Sequence, residues 1–299
     1  MSVNRINTHI IPTRFEYHAP NSLGEALELL SEYGGEAKLL AGGTDLLVKM
    51  KQRLTAPNCV IDIKRIDGLN RIEEREDGIH IGAATTLGTI ERSDVVKAEF
   101  PLLHEAVRSI GSVQIRNMAT IGGNLCNASP AADSAVALLA LDAKARMISP
   151  EGVRLVPMEE FFTGPGETVL ETDEILTGVS VPYLPEGTGT SFMKIGRTSL
   201  DIATINIAVV LKMVDGVVED CRIALGAVAS TPLRVKRAEA FLRVNELTSE
   251  NLEVAAEMVA EDIRPITDIR ATAEYRREAS KTLTKDALTL AGERSLGGR

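Results

Sequence analysis

Two double-glycine runs, Ala41-Gly42-Gly43-Thr44-Asp45 and Thr120-Ile121-Gly122-Gly123-Asn124, carry the residue types of this chain best suited to grip an anion. Residues without a Cβ reach positive φ at little cost and leave backbone N–H groups bare, so glycine pairs beside Thr or Asn suit a pyrophosphate or another anion. Each run follows an apolar stretch and reads as strand-to-turn backbone, and two such turns suggest the halves of a clamp. The G-x-x-x-x-G-K-[ST] spacing of a Walker loop is absent, as is the G-x-G-x-x-G fingerprint of a Rossmann unit. A dinucleotide held by these glycines is therefore held in a different architecture.

The surrounding pattern supplies elements to position both runs. Ser22 and Glu25 form a capping box for a helix with Ala26, Leu27, Leu29, Leu30 and Tyr33 on one face, stopped at Gly34-Gly35. Lys38-Leu39-Leu40 reads as a short buried strand entering the first run, and Thr44 can cap a helix through Leu46, Leu47 and Met50. That placement adds the positive end of a helix dipole to the free N–H groups. Val60 to Ile63, Ile72 to Arg75 and Gly78 to Gly82 read as strands, the last two joined by an Asp77-Gly78 hairpin turn. Helices are expected over Thr86 to Arg92 and Leu102 to Ser109. After the second run, Ala128-Ser129-Pro130-Ala131-Ala132-Asp133 leads into an apolar helix from Ser134 to Leu141.

Beyond it, Lys144 to Ile148 and Val153 to Pro157 form a hairpin around Pro150-Glu151-Gly152, and Ile175 to Val181 is a strand. A boundary falls near Pro182 to Gly189. Thr204 to Val214 and Val217 to Ala227 flank Asp215-Gly216 as a second hairpin. Three helices close the chain: one capped by Thr231-Pro232 and running to Arg243, one from Ser249 to Glu261, and one from Ala271 to Ala291.

With 299 residues, about two domains fit, and an apolar share of 44% provides a sizeable core. The excess of 42 acidic over 33 basic side chains, a net charge of −9, argues against nucleic acid or an anionic membrane as the main partner, so an anionic cofactor has to be held by local groups. No apolar run approaches the length of a membrane span, and Met1-Ser2-Val3-Asn4-Arg5 lacks the look of a secretion signal, so a cytoplasmic location is expected. Cys59, Cys126 and Cys221 include no C-x-x-C pair and read as free thiols. His9, His18, His80 and His104 show no metal-ligand spacing.

With these motifs in view, the chain resembles, nearly end to end, the FAD-binding medium subunit of the molybdenum hydroxylases, the family of carbon monoxide dehydrogenase and of the flavin module of xanthine dehydrogenase. The most specific part is Arg116-Asn117-Met118-Ala119-Thr120-Ile121-Gly122-Gly123-Asn124, continued by Ala128 to Asp133; Ala41 to Asp45, Phe192 to Arg197 and Asp201-Ile202-Ala203 add to it. The resemblance implies an α+β fold: a two-lobed FAD-binding domain of the vanillyl-alcohol-oxidase-like type over residues 1–185, with a small lobe to about residue 65, then a C-terminal antiparallel sheet with helices over 186–299. It places the FAD pyrophosphate between Ala41, Gly42, Gly43, Thr44, Asp45 and Thr120, Ile121, Gly122, Gly123, Asn124. Gly111 lies close by, Asp133 bonds the ribityl or ribose hydroxyls, and Leu176 and Lys194 stand near the isoalloxazine ring. It implies noncovalent FAD on this chain, and a molybdopterin-binding large subunit and a 2Fe-2S small subunit as partners in a dimer of heterotrimers. The electron acceptor is then NAD, a quinone or oxygen. Three scattered cysteines do not supply the four thiolates of the extra 4Fe-4S cluster found in one branch of the family.

Plainer readings of the same residues stand beside these. A Gly-Gly pair is often only a tight connection, Asp133 suits a helix N-cap, Lys194 and Arg197 suit a solvated strand, and Cys126 suits a small buried filler. At the level of the whole protein, the rivals are a stand-alone FAD-dependent oxidoreductase acting directly on a small molecule and an interaction protein that kept the fold without the cofactor.

Overall fold

The fold was analysed in a computed structural model that describes residues 11–297; Met1-Ser2-Val3-Asn4-Arg5 and His9 lie outside the described residues. The chain starts with three short strands and two helices: β1 (Glu16–His18), α1 (Leu23–Tyr33), β2 (Ala37–Leu40), α2 (Leu46–Lys51) and β3 (Cys59–Asp62). The strands form a parallel sheet in the order β1-β3-β2. Central strand β3 is buried at every position, as expected where both faces of a parallel sheet are covered. Ser22 caps α1 by accepting the Glu25 N–H at 3.2 Å, while the Glu25 carboxylate takes the Asn21 N–H rather than that of Ser22. The apolar side of α1 packs with Ile61, Ile63, Ile66 and Leu69.

A second, antiparallel sheet has the order β4-β5-β10-β6-β7, built from β4 (Ile72–Arg75), β5 (Gly78–Gly82), β6 (Lys144–Ser149), β7 (Gly152–Pro157) and β10 (Ile175–Pro182). Between β5 and β6 run α3 (Leu87–Arg92), α4 (Asp94–Glu99), α5 (Pro101–Arg108), α6 (Val113–Met118), α7 (Ile121–Cys126) and α8 (Asp133–Ala140). Between β7 and β10 come α9 (Met158–Phe161) and a small hairpin of β8 (Phe162–Gly164) and β9 (Glu167–Thr168). Ile79 and Ile81 from the sheet pack with Leu87, Ile90, Phe100, Leu103, Ile121 and Leu138 from the helices. The hairpin between β4 and β5 turns at Glu76-Asp77, and Gly78 is already a strand residue; a Cβ there would lie 2.1 Å from the Val181 carbonyl oxygen.

The third sheet, β11 (Thr188–Ile195), β12 (Ile205–Val214), β13 (Val217–Gly226) and β14 (Leu233–Arg234), is antiparallel, with α10 (Lys236–Leu242), α11 (Ser249–Asp262) and α12 (Ala273–Gly297) beside it. Thr231-Pro232 thus leads into a short strand rather than capping a helix, because Leu233 and Arg234 pair with β13 before α10 begins. Asp215 and Gly216 both have positive φ, the conformation a two-residue hairpin demands.

The two faces of β12 serve different cores. Ile205, Ile207, Val209 and Leu211 pack under α10, α11 and α12, while Ala208 and Val210 join the core of the second sheet through α8, which is buried at all eight positions. Polar groups reinforce this seam: Asp142, in left-handed backbone after α8, receives Arg222 at 2.8 Å and Arg234 at 2.5 Å, and Arg234 also grips Glu239 at 2.7 Å. Arg276 of α12 is buried and donates to the Thr204 and Ala227 carbonyls at 2.9 and 2.8 Å and to Asp268 at 2.7 Å. The α+β class and the C-terminal antiparallel sheet with helices are both present.

Gly189 lets β11 lie against α12, since a Cβ there would fall 1.9 Å from the Ala291 carbonyl oxygen. Gly189→Ala is therefore expected to destabilise the fold by about 3 kcal/mol or more, a backbone clash being costlier than ordinary overpacking, and thermal melts of the two proteins measure it.

Candidate functional site

Strand β2 ends at Leu40, and the chain turns through Gly43 at φ +73° before α2 begins. No Cβ could be accommodated at Gly42, where it would come 2.1 Å from the Met118 carbonyl oxygen and 2.8 Å from the Ala119 Cα. The first glycine run is thereby pressed backbone to backbone against the entry of the second. Among the described residues, the N–H groups of Gly42, Gly43, Thr44 and Asp45 have no intramolecular acceptor, which leaves four donors in sequence around a tight bend. Thr44 does not cap α2: Asp45 holds the N-cap position without a side-chain cap bond, and the Thr44 hydroxyl leans to the Asp45 carboxylate at 3.4 Å.

The second run differs from the turn expected of it, because Gly122 and Gly123 lie inside the first turn of α7. Thr120 is the N-cap, its Oγ1 accepting the Gly123 N–H at 3.1 Å, and the N–H groups of Ile121, Gly122 and Asn124 bond the carbonyls of Thr85, Ala83 and Thr120. Gly122 is needed for closeness rather than for φ, as a Cβ would sit 2.6 Å from that of Ala83. Ile121 points into the core, fully buried. Asn124, one turn on along the same helix, is partly exposed, and its Oδ1 accepts the hydroxyl of buried Ser134 at 2.6 Å. With six residues each, α2 and α7 are too short for their dipoles to dominate, and the Asp45 carboxylate works against an anion at the start of α2. The free amides of the first run are the stronger feature.

The two runs face each other across a cleft of about 720 Å³, within the range of sites that hold a cofactor-sized molecule. Ala41 to Asp45, Thr120 and Gly122 to Asn124 line it, with buried Leu176 of β10 in its wall. Glu174 also lines it, held by Arg154 through two bonds of 2.6 Å that keep its carboxyl below the ordinary carboxylate range. Lys49 of α2 reaches across and donates to Asn127 Oδ1, beyond the end of α7, at 2.7 Å. Cys126 lines the cleft and is exposed as a residue, unlike the buried filler its type suggested, while its thiol is enclosed enough for desolvation to push its pKa up to about 12.

Gly111, Asp133 and Lys194 do not line this cleft. Asp133 is the first residue of α8, not its cap, and its buried carboxylate pairs with Lys194 Nζ at 2.7 Å and accepts from Asn206. Lys194 also donates to the Ser109 carbonyl at 3.0 Å, so it is no solvated strand residue, whereas Arg197 is exposed and pairs with Asp201. Burial pushes the Asp133 carboxyl up, against the pull of Lys194 beside it. Asp133 directly precedes Ser134, whose hydroxyl bonds Asn124 of the cleft wall. Gly111, at φ +49°, is fixed by buried Arg116, which donates to the Ile110 and Gly111 carbonyls at 3.0 and 3.2 Å and forks onto Glu91 at 2.7 and 3.1 Å. Sequence reading missed Glu91, which lies 25 residues from Arg116, and Lys49, whose signal was its place four residues after Asp45.

The profile of the FAD binding domain in molybdopterin dehydrogenase matches residues 13–184, and that of the CO dehydrogenase flavoprotein C-terminal domain matches residues 190–291. The chain is 39% identical to the carbon monoxide dehydrogenase medium chain of Hydrogenophaga pseudoflava over 285 residues, 95% of this chain and 99% of that one. It is 38% identical to the xanthine dehydrogenase FAD-binding subunit of Escherichia coli O157:H7 over 276 residues, 91% and 94% of the two chains. Among solved structures, carbon monoxide dehydrogenase from Hydrogenophaga pseudoflava lacking the Mo-pyranopterin moiety matches with a TM-score of 0.93 and 40% identity, covering 95% of this chain and 99% of that one. Quinoline 2-oxidoreductase from Pseudomonas putida 86 matches with a TM-score of 0.90 and 29% identity, covering 95% and 98%.

Hydrogen bonds from Arg116 hold the Glu91 carboxyl below its ordinary value of 4.5. The unfolded chain binds that proton more readily, so the stability contributed by the pair is complete above about pH 4.5 and is lost as the pH falls through the lower folded value. Glu91→Gln is expected to cost about 2 kcal/mol at neutral pH and to remove that part of the acid sensitivity. Melting temperatures of both proteins, taken from about pH 6 down to about pH 3.5, check it.

Proposed function

The chain belongs to the FAD-binding medium subunits of the molybdenum hydroxylase family, and we propose that it works as the electron-transfer flavoprotein subunit of a multi-subunit molybdenum-containing hydroxylase or dehydrogenase. In this reading a companion subunit with 2Fe-2S clusters delivers electrons, a molybdopterin-binding subunit holds the substrate, and NAD or a quinone is the acceptor. Relatives described as medium chains and as an FAD-binding subunit support it, as each name implies companion chains.

The observation that carries the proposal is the row of four acceptor-free amides at Gly42 to Asp45, facing the capped start of α7 across a cleft of about 720 Å³. A pyrophosphate satisfies such donors, and the absence of Cβ atoms at Gly42 and Gly43 keeps the backbone within reach. From the facing wall the Thr120 hydroxyl and the Asn124 side-chain NH2 are available as donors, and Leu176 adds an apolar surface. Gly111, Asp133 and Lys194 lie outside the lining of this cleft, and their part in holding FAD rests on the family resemblance, which gives the acidic group to the hydroxyls of the cofactor and the ammonium to the charge of its reduced ring. FAD, when bound, supplies the redox chemistry. The chain's own task is to bind it, orient it and set the charge around it.

At Gly123 a Cβ meets no backbone atom, only the capping Thr120 Oγ1 at 2.9 Å, so Gly123→Asp asks for a shift of that hydroxyl and not of the main chain while it sets a carboxylate against the pyrophosphate. Loss of the yellow colour and of stoichiometric FAD with unchanged circular dichroism is expected; FAD retained at one per chain would sink the assigned site. Anaerobic titration of the loaded protein with NADH then tests the acceptor. Bleaching of the flavin bands supports NAD, and bands indifferent to NADH but restored by a quinone after chemical reduction point to the quinone.

A further inference from the structure

The wall of the cleft is poor in positive charge for a site that takes a doubly anionic diphosphate. Its acidic side chains are Asp45, Glu167, Glu171 and Glu174, of which Glu174 is neutralised by Arg154, and its basic ones are Lys38 and Lys49. Lys38 lies on β2, four residues before Gly42, so at about 3.3 Å per residue it stands some 13 Å along the strand from the free amides. Lys49 lies one turn into α2, and its N–H bonds the Asp45 carbonyl at 2.9 Å, so its stem leans back toward the glycine run as helical side chains do. Its ammonium makes one bond, to Asn127 Oδ1, and no ion pair among the described residues. An ammonium has three donors, so two are left over for other acceptors in the cleft.

We propose that Lys49 is a further cofactor-binding residue: its ammonium takes a phosphate oxygen of the FAD diphosphate held by the Gly42 to Asp45 amides. The assignment rests on the reading of this cleft as the FAD site. It differs from a purely structural role, in which Lys49 and Asn127 would simply tie α2 to the end of α7. The two roles separate at Asn127. If Lys49 serves the phosphate, removing its neutral partner frees the ammonium and leaves affinity intact or improved; if the pair is only a strap, losing either end weakens the cleft alike.

Titration of the cofactor-stripped full-length chain with FAD, at low and high salt, tests this on the wild type, Lys49→Gln, Lys49→Arg, Asn127→Ala and Lys38→Gln, each checked by circular dichroism. Lys49→Gln is expected to weaken FAD binding about 10- to 100-fold at low salt, the worth of a charge-assisted bond, and less at high salt. Lys49→Arg should retain most of the affinity, and Asn127→Ala should bind at least as tightly as the wild type. Equal binding by Lys49→Gln and the wild type overturns the assignment while leaving the FAD site standing. So does an equal loss in Asn127→Ala, which assigns a strap, or in Lys38→Gln, which assigns a general field. A wild-type chain that takes up no FAD overturns the site itself and Lys49 with it.

Discussion

Gly42 lies so close to Met118 and Ala119 that a single added carbon at this position would overlap their backbone. Much of the site's geometry follows from that contact. It joins a loop leaving the small parallel sheet to the segment that enters α7, and so makes one cleft from two motifs separated by more than seventy positions in the chain. Gly122 repeats the device by letting α7 settle on Ala83, just past the end of β5. Absence of side-chain atoms thus acts twice as an adhesive between elements, and the free amides of the first run are a by-product of a bend that the contact requires.

Behind the cleft the same economy holds for polar groups. Arg116 uses one guanidinium to satisfy Glu91 and two carbonyls of the Ile110-Gly111 bend, and Asp133 uses one carboxylate to hold a lysine from β11 and an asparagine from β12. Each is a buried charge with its partners in place, the condition under which such charges are tolerated. The first cluster stays among the helices, joining α6 to α3, while the second joins α8 to β11 and β12 and so ties the two halves of the molecule together.

Local signals were legible in the sequence wherever a single residue type decides the backbone. Ser22 does cap α1, Asp215-Gly216 does turn a hairpin, Thr86 does precede α3, and the apolar stretch after Asp133 is a buried helix. What was misread depended on distant neighbours. Gly122 and Gly123 look like a turn in isolation, because nothing nearby says that Ala83 will press against them and that Thr120 will cap a helix there. The pairing of Lys194 with Asp133 spans 61 residues, and that of Arg116 with Glu91 spans 25; no local periodicity encodes either. Thr44 failed as a cap because the bend at Gly43 moves the cap position on to Asp45.

Strand β12 has a consequence for how the molecule comes apart. Seven consecutive residues, Ile205 to Leu211, are buried, with one set of side chains facing α10, α11 and α12 and the alternate set facing α8. Severing the chain near residue 185 would leave the first half with the unclothed side of α8 and the second with a naked strip of Ala208, Val210 and Ala224, apolar surfaces of the kind that drive aggregation. Each of the two recognisable sequence units therefore relies on the other to cover an apolar face, which makes the halves poor candidates for separate transplantation into other proteins.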